Sequence, residues 1–109
     1  MSNPFEKAAE IIHEKGWTQK NLADGGRVCL LGAVYTALGL SQEEMESYPI
    51  YPETEFLGQL LSQKYYDEPV LRDRPTNKVW EINDHQIKDA DEAVHVLKEA
   101  AEAWEESHE

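Results

Sequence analysis

From Val28 to Leu38 the chain carries polar groups only at Tyr35 and Thr36, so whatever this segment becomes must be covered on nearly every side. Gly25-Gly26-Arg27 opens the segment and Gly39 closes it, which predicts a helix over about 28–38. Gly32, Ala33 and Ala37 are small enough to let a second helix approach it closely. A chain of 109 residues meets that demand by wrapping the remainder around the segment, as a single globular helical domain over 1–109. The apolar run is far too short to span a bilayer.

The flanking segments read mainly as helices. Asn3 caps a first helix that begins at Pro4, buries Phe5, Ala8, Ala9 and Ile12, and stops at Gly16. Residues 17–27 read as a polar loop. Ser41 and Glu44 form a capping box for a short helix that Pro49 and Pro52 terminate. Pro52 or Thr54 starts the next helix, with Phe56, Leu57, Leu60, Leu61 and Tyr65 along one face. Residues 66–78 hold Pro69, Pro75 and several charges and read as a long surface loop; Val79–Ile82 then reads as a short extended piece or an apolar plug. A last helix, capped by Asp89 or Asp91, lines up Ala93, Val94, Leu97, Ala100, Ala101 and Trp104. The expected fold is mostly α, a compact domain of four to five helices around the buried helix at 28–38.

Charge narrows the partners. Twenty-two acids against ten bases give a formal charge of −12, which disfavours phosphate backbones and anionic membranes, since both are bound by Lys and Arg. Neither nucleic acid nor membrane is an expected partner. The acids either keep helix faces solvated or dock on a basic patch of another protein. Glu99, Glu102 and Glu106 lie off the apolar stripe of the last helix and form one candidate interaction face. The aromatic middle section, with Tyr48 and Tyr51, forms another. One cysteine cannot make an internal disulfide, and Met1–Lys7 lacks a signal-peptide pattern, so a cytoplasmic location is expected.

Two blocks carry the chemistry: Gly25–Val34 with Cys29, and Trp80-Glu81-Ile82-Asn83-Asp84-His85. At a helix N-terminus Cys29 would gain thiolate character. With His85 or His13 as base and Asn83 as orienter it would then resemble a hydrolase or transferase site. A free cysteine on an apolar segment is more often a small core residue, so Cys29 is expected to be buried and inert. Arg27 behind a glycine pair, with Asn83 and Asp84, could hold a small anion, although no phosphate-loop pattern surrounds it. Read structurally, Arg27 pairs with Asp84 or another acid nearby. Asp84 with His85, His85 with Asp89, and the row Asp91, His95, Glu99 have metal-ligand spacing only where each set shares a helix face; no CxxC or HExxH pattern is present, and no metal or other cofactor is expected. The reading given most weight is structural: Asn83 and Asp84 bridge the N–H groups of the loop at 17–27, and Trp17, Cys29 and Trp80 complete the junction.

The blocks Glu14-Lys15-Gly16-Trp17-Thr18-Gln19, Gly26-Arg27-Val28-Cys29-Leu30-Leu31-Gly32-Ala33, and Trp80 with Asn83-Asp84, followed by an alanine-rich last helix, resemble a family of small uncharacterised domains from actinobacteria and their phages. Thr18 stands where such domains often carry a second cysteine. The resemblance implies a phage-encoded or host accessory protein and no particular mechanism. Three functions follow as expectations. The first is a non-enzymatic acidic module that binds another protein. The second is a small enzyme built on Cys29 with His85 or His13, and the third a binder of small anions through Arg27.

Overall fold

The computed structural model describes residues 3–20, 22–67 and 75–107. Among them are six helices and one two-stranded antiparallel hairpin: α1 (Pro4–Lys15), β1 (Ala23–Asp24), β2 (Arg27–Val28), α2 (Leu30–Ala37), α3 (Gln42–Met45), α4 (Pro52–Tyr66), α5 (Pro75–His85) and α6 (Ala90–Ser107). The fold is mostly α, with α2 at its centre. Leu30, Leu31, Gly32, Ala33, Val34 and Tyr35 of α2 are all buried, and the helix packs against α1, α5 and α4. The pairs α1–α6 and α4–α5 enclose it.

Local chemistry fixes the ends. Asn3 accepts from the Phe5 and Glu6 N–H groups as the cap of α1, and its amide donates to the Ala101 carbonyl at 2.9 Å, tying α1 to α6. Phe5, Phe56 and Trp104 close the same region, with ring centroids 5.1–5.8 Å apart. Ser41 and Glu44 satisfy each other's backbone N–H groups at the start of α3. Asp89 accepts from the Glu92 N–H to start α6, and Glu92 reaches back to the Lys88 N–H.

Two segments differ from the sequence expectation. The polar loop at 17–27 contains the hairpin, with Ala23 opposite Val28 and Asp24 opposite Arg27. Gly25 and Gly26 turn it at φ 59° and 89°, a conformation that side-chain-bearing residues rarely adopt. Trp17 pairs in parallel with Val28 beside it. Strands this short show no alternation, which is why they read as loop.

The second difference is α5. Pro75, read as part of a loop, is the first helical residue, where a missing N–H is harmless. Val79–Ile82 is therefore helical, not extended: Thr76, Val79, Ile82 and Asn83 are buried at helical spacing. Of the expected loop at 66–78, Tyr66 ends α4, 75–78 belong to α5, and 68–74 lie outside the described residues. The central helix is also shorter than 28–38. Val28 belongs to β2 and Cys29 is the cap of α2, because the chain must turn from hairpin to helix there. With α3 and α5 both helical, the described residues hold one helix more than the four to five expected.

Candidate functional site

The site is organised by Asn83, which is fully buried and lies two residues before His85, the last residue of α5. Its Oδ1 accepts from the Trp17 indole N–H at 2.6 Å and from the Leu30 N–H at 3.1 Å. Its amide donates to the Thr18 carbonyl and to Asp84 Oδ1, both at 3.1 Å. Two acceptor and two donor positions are thus filled, as much as a carboxamide offers. Asp84 Oδ1 also accepts from the Lys20 N–H at 2.7 Å.

Gln19 completes the clamp. Its amide donates to the carbonyls of Asn83, Asp84 and Ile87 at 3.0–3.4 Å, satisfying groups that the end of α5 leaves open. Sequence reasoning missed Gln19, because a glutamine in a polar loop has no pattern of its own. The signal available was its place beside Trp17 and Thr18 in the first of the blocks that carry the family resemblance.

Cys29 sits where this clamp meets α2. Its backbone N–H donates to the Leu22 carbonyl at 3.2 Å, and its Sγ accepts from the Gly32 N–H at 3.3 Å. Asn83 takes the Leu30 N–H and Cys29 the Gly32 N–H, so the two residues cap α2 together. Gly32 is required for this fit: a Cβ there would stand 2.2 Å from the Leu22 carbonyl oxygen. Burial pushes the thiol pKa up to about 11, outweighing the N–H groups of Gly32 and Leu31 that favour thiolate. Desolvation is larger than the dipole effect, and the resting group is a neutral thiol.

Beside the clamp opens a cavity of about 380 Å³ lined by Lys20, Leu22, Cys29, Tyr48, Trp80, Asp84 and His85. Tyr48 reaches it from the segment after α3, where it adopts a left-handed backbone at φ 50°. That segment is held to α2 by the buried Tyr35, whose hydroxyl donates to the Pro49 carbonyl at 2.6 Å. Trp80 forms another wall and is 41% exposed; Tyr48 is 45% exposed. With Ile50 and Tyr51 they make up the exposed large apolar side chains of the described residues.

The other predicted site residues fall elsewhere. Trp80 belongs to the cavity wall, while the described hydrogen bonds of the junction run through Trp17, Gln19, Asn83 and Asp84. Arg27 stays on the hairpin, 3.7 Å from Asp24 with both side chains 56% exposed, so of the acids open to it the described partner is Asp24, a near neighbour on the hairpin. Lys20 is the cation at the cavity.

His85 shares the cavity with Cys29, whereas His13 lines a separate groove with Glu6, Glu10, Glu14 and Lys98. His85 ends α5 and Asp89 precedes α6, so the two do not share a helix. His95 Nε2 lies 3.0 Å from Glu99, which also accepts from Lys64 at 2.9 Å. Among the described residues no group of three such side chains could hold a metal ion. Glu102 and Glu106 are exposed on α6, whereas Glu99 is half-buried in its ion pairs. The acidic and aromatic parts of the predicted interaction face thus belong to different elements.

Fold and site together define a small helical domain in which the segment 17–20 is clamped to one helix end beside an aromatic-walled cavity. The chain belongs to DUF6197, a family of unknown function, whose family model matches residues 2–103. No curated protein and no solved structure matches it. No helix among the described residues is long and apolar enough to cross a membrane.

Proposed function

We propose that this protein is a non-enzymatic interaction module that binds a second protein bearing a basic patch, with the surface of Tyr48, Ile50, Tyr51 and Trp80 as its anchor. One observation carries the reading. The exposed large apolar side chains of the described residues belong to the segment 48–51 and to Trp80, which lines the same cavity as Tyr48. Exposed aromatic groups in one neighbourhood mark binding surfaces, and Tyr and Trp are common anchors there. The surplus of twelve acids suits a basic partner and disfavours nucleic acid and anionic membranes. A neutral thiol at pH 7 is a poor nucleophile, which weighs against a Cys29 enzyme.

The acids of α6 act at longer range in this account: Glu102 and Glu106 steer the encounter and the aromatic surface holds it. A cytoplasmic setting fits a single free cysteine. The resemblance to domains of actinobacteria and their phages makes a bacterial host protein the first partner to seek. The test is capture from host lysate, followed by direct binding of the purified partner to wild type, to Tyr48→Ser/Trp80→Ser and to Glu99→Lys/Glu102→Lys/Glu106→Lys. The account expects the aromatic variant to lose the partner and the charge variant to associate more slowly, with an effect that fades in high salt. Undiminished binding by the aromatic variant contradicts it.

A further inference from the structure

The cavity beside Trp80 has the chemistry of a receptor for one particular side chain. We propose that it receives an arginine side chain of the partner, with the guanidinium against the faces of Trp80 and Tyr48 and hydrogen-bonded to the Asp84 carboxylate. This inference rests on the interaction reading above and specifies what enters its anchor.

Three observations meet there. Both Trp80 and Tyr48 leave much of their surface to solvent while lining the cavity, and aromatic faces attract cations, guanidinium above all. The described hydrogen bonds of the Asp84 carboxylate both go to Oδ1, from the Lys20 N–H and the Asn83 amide, which leaves Oδ2 for a further donor. Those same bonds hold the carboxylate in place before anything binds, which lowers the cost of binding.

Tyr48 is positioned in advance too. A bulky residue at φ 50° is strained, and its N–H bond to the Met45 carbonyl and the Tyr35–Pro49 bond beside it keep it there. The thiol at the cavity is neutral and adds no competing charge. A volume of about 380 Å³ accommodates one large side chain rather than an extended ligand. The opposing group is Lys20, whose side chain is exposed and so screened by water, within a chain of formal charge −12.

Blocked tripeptides with a central arginine, phenylalanine or glutamate, titrated into the ¹⁵N-labelled protein, test this directly by NMR. The arginine peptide is expected to give saturable shifts of the Trp80 indole N–H and the Asp84 amide that diminish with added salt. Trp80→Leu, which keeps an apolar side chain without a π face, is expected to weaken that binding about two- to fivefold. Lys20→Gln, which removes the opposing cation, is expected to tighten it. A merely structural role for these residues would move neither affinity.

Stronger shifts with the phenylalanine or glutamate peptide would overturn the cation assignment, as would absence of any shift with the arginine peptide. In either case partner capture that still depends on Trp80 would leave the interaction reading standing. Loss of both would remove the two together.

Discussion

The indole N–H of Trp17 donates to Oδ1 of Asn83 at 2.6 Å across 66 positions of sequence, and the same oxygen accepts the N–H of Leu30, the first residue of α2. One buried carboxamide therefore joins the strand-like segment after α1, the start of the central helix and the end of α5. Replacement by alanine strands the Leu30 N–H and the Thr18 carbonyl in the interior without their partner. Asn83→Ala is expected to lower stability by about 1–3 kcal/mol, read from chemical denaturation of the two proteins side by side. A variant as stable as wild type would show that the junction does not hold the domain together.

Gly32 offers an independent probe of the same contact between loop and helix. A methyl group there meets the Leu22 carbonyl oxygen at 2.2 Å, and that carbonyl is the acceptor for the Cys29 N–H. Alanine normally favours a helix over glycine by up to about 1 kcal/mol, yet here the hairpin must move to admit it. Gly32→Ala is expected to destabilise by about 1–3 kcal/mol as an overpacking change. A rise in melting temperature would mean that the close approach is not real.

Cys29 makes the domain sensitive to alkali. Its thiol pKa stands at about 11 in the fold against an ordinary 9.0, with burial as the main cause. The unfolded chain therefore loses this proton first as pH rises. The contribution to stability is complete below about pH 9 and disappears progressively as pH climbs towards 11. Tyr35 and Tyr65 are shifted upward as well, chiefly by burial, and strengthen the same trend. Denaturation midpoints across this range are expected to fall for wild type and to fall less for Cys29→Ala. Alkylation in native buffer at pH 7 is expected to be slow; rapid modification would mean an accessible thiolate and would reopen the enzymatic reading.

The parts of this molecule that could be read from sequence are those whose signal is local. Asn3, Pro4 and Gly16 bound α1 by capping chemistry, Ser41 and Glu44 bound α3, and the long apolar period of α6 identifies itself. Trp17, Asn83 and Asp84 could be suspected because polar and aromatic groups at the ends of apolar runs need partners. The hairpin escaped because two-residue strands have no period. Helix α5 escaped because its apolar face is only Val79 and Ile82, completed by the buried polar Thr76 and Asn83. Burial of Cys29 could be suspected from its apolar segment, whereas the size of its shift depends on how deeply the thiol is covered, which is a property of tertiary packing. Nor does sequence spacing reveal that Tyr48 and Trp80 meet at one cavity, since that depends on how the segment between α3 and α4 folds back towards α5.

In the proposed role the clamp around Asn83 is scaffold and Tyr48 and Trp80 are the binding surface, two roles that Trp80→Ser separates. With more than half of its surface covered, the ring also packs, so this variant is expected to lose on the order of 1–3 kcal/mol of stability and still fold. Its dissociation constant for the purified partner is expected to rise at least about tenfold, as for loss of an interface anchor. An unchanged dissociation constant in a fully folded Trp80→Ser protein would contradict the account.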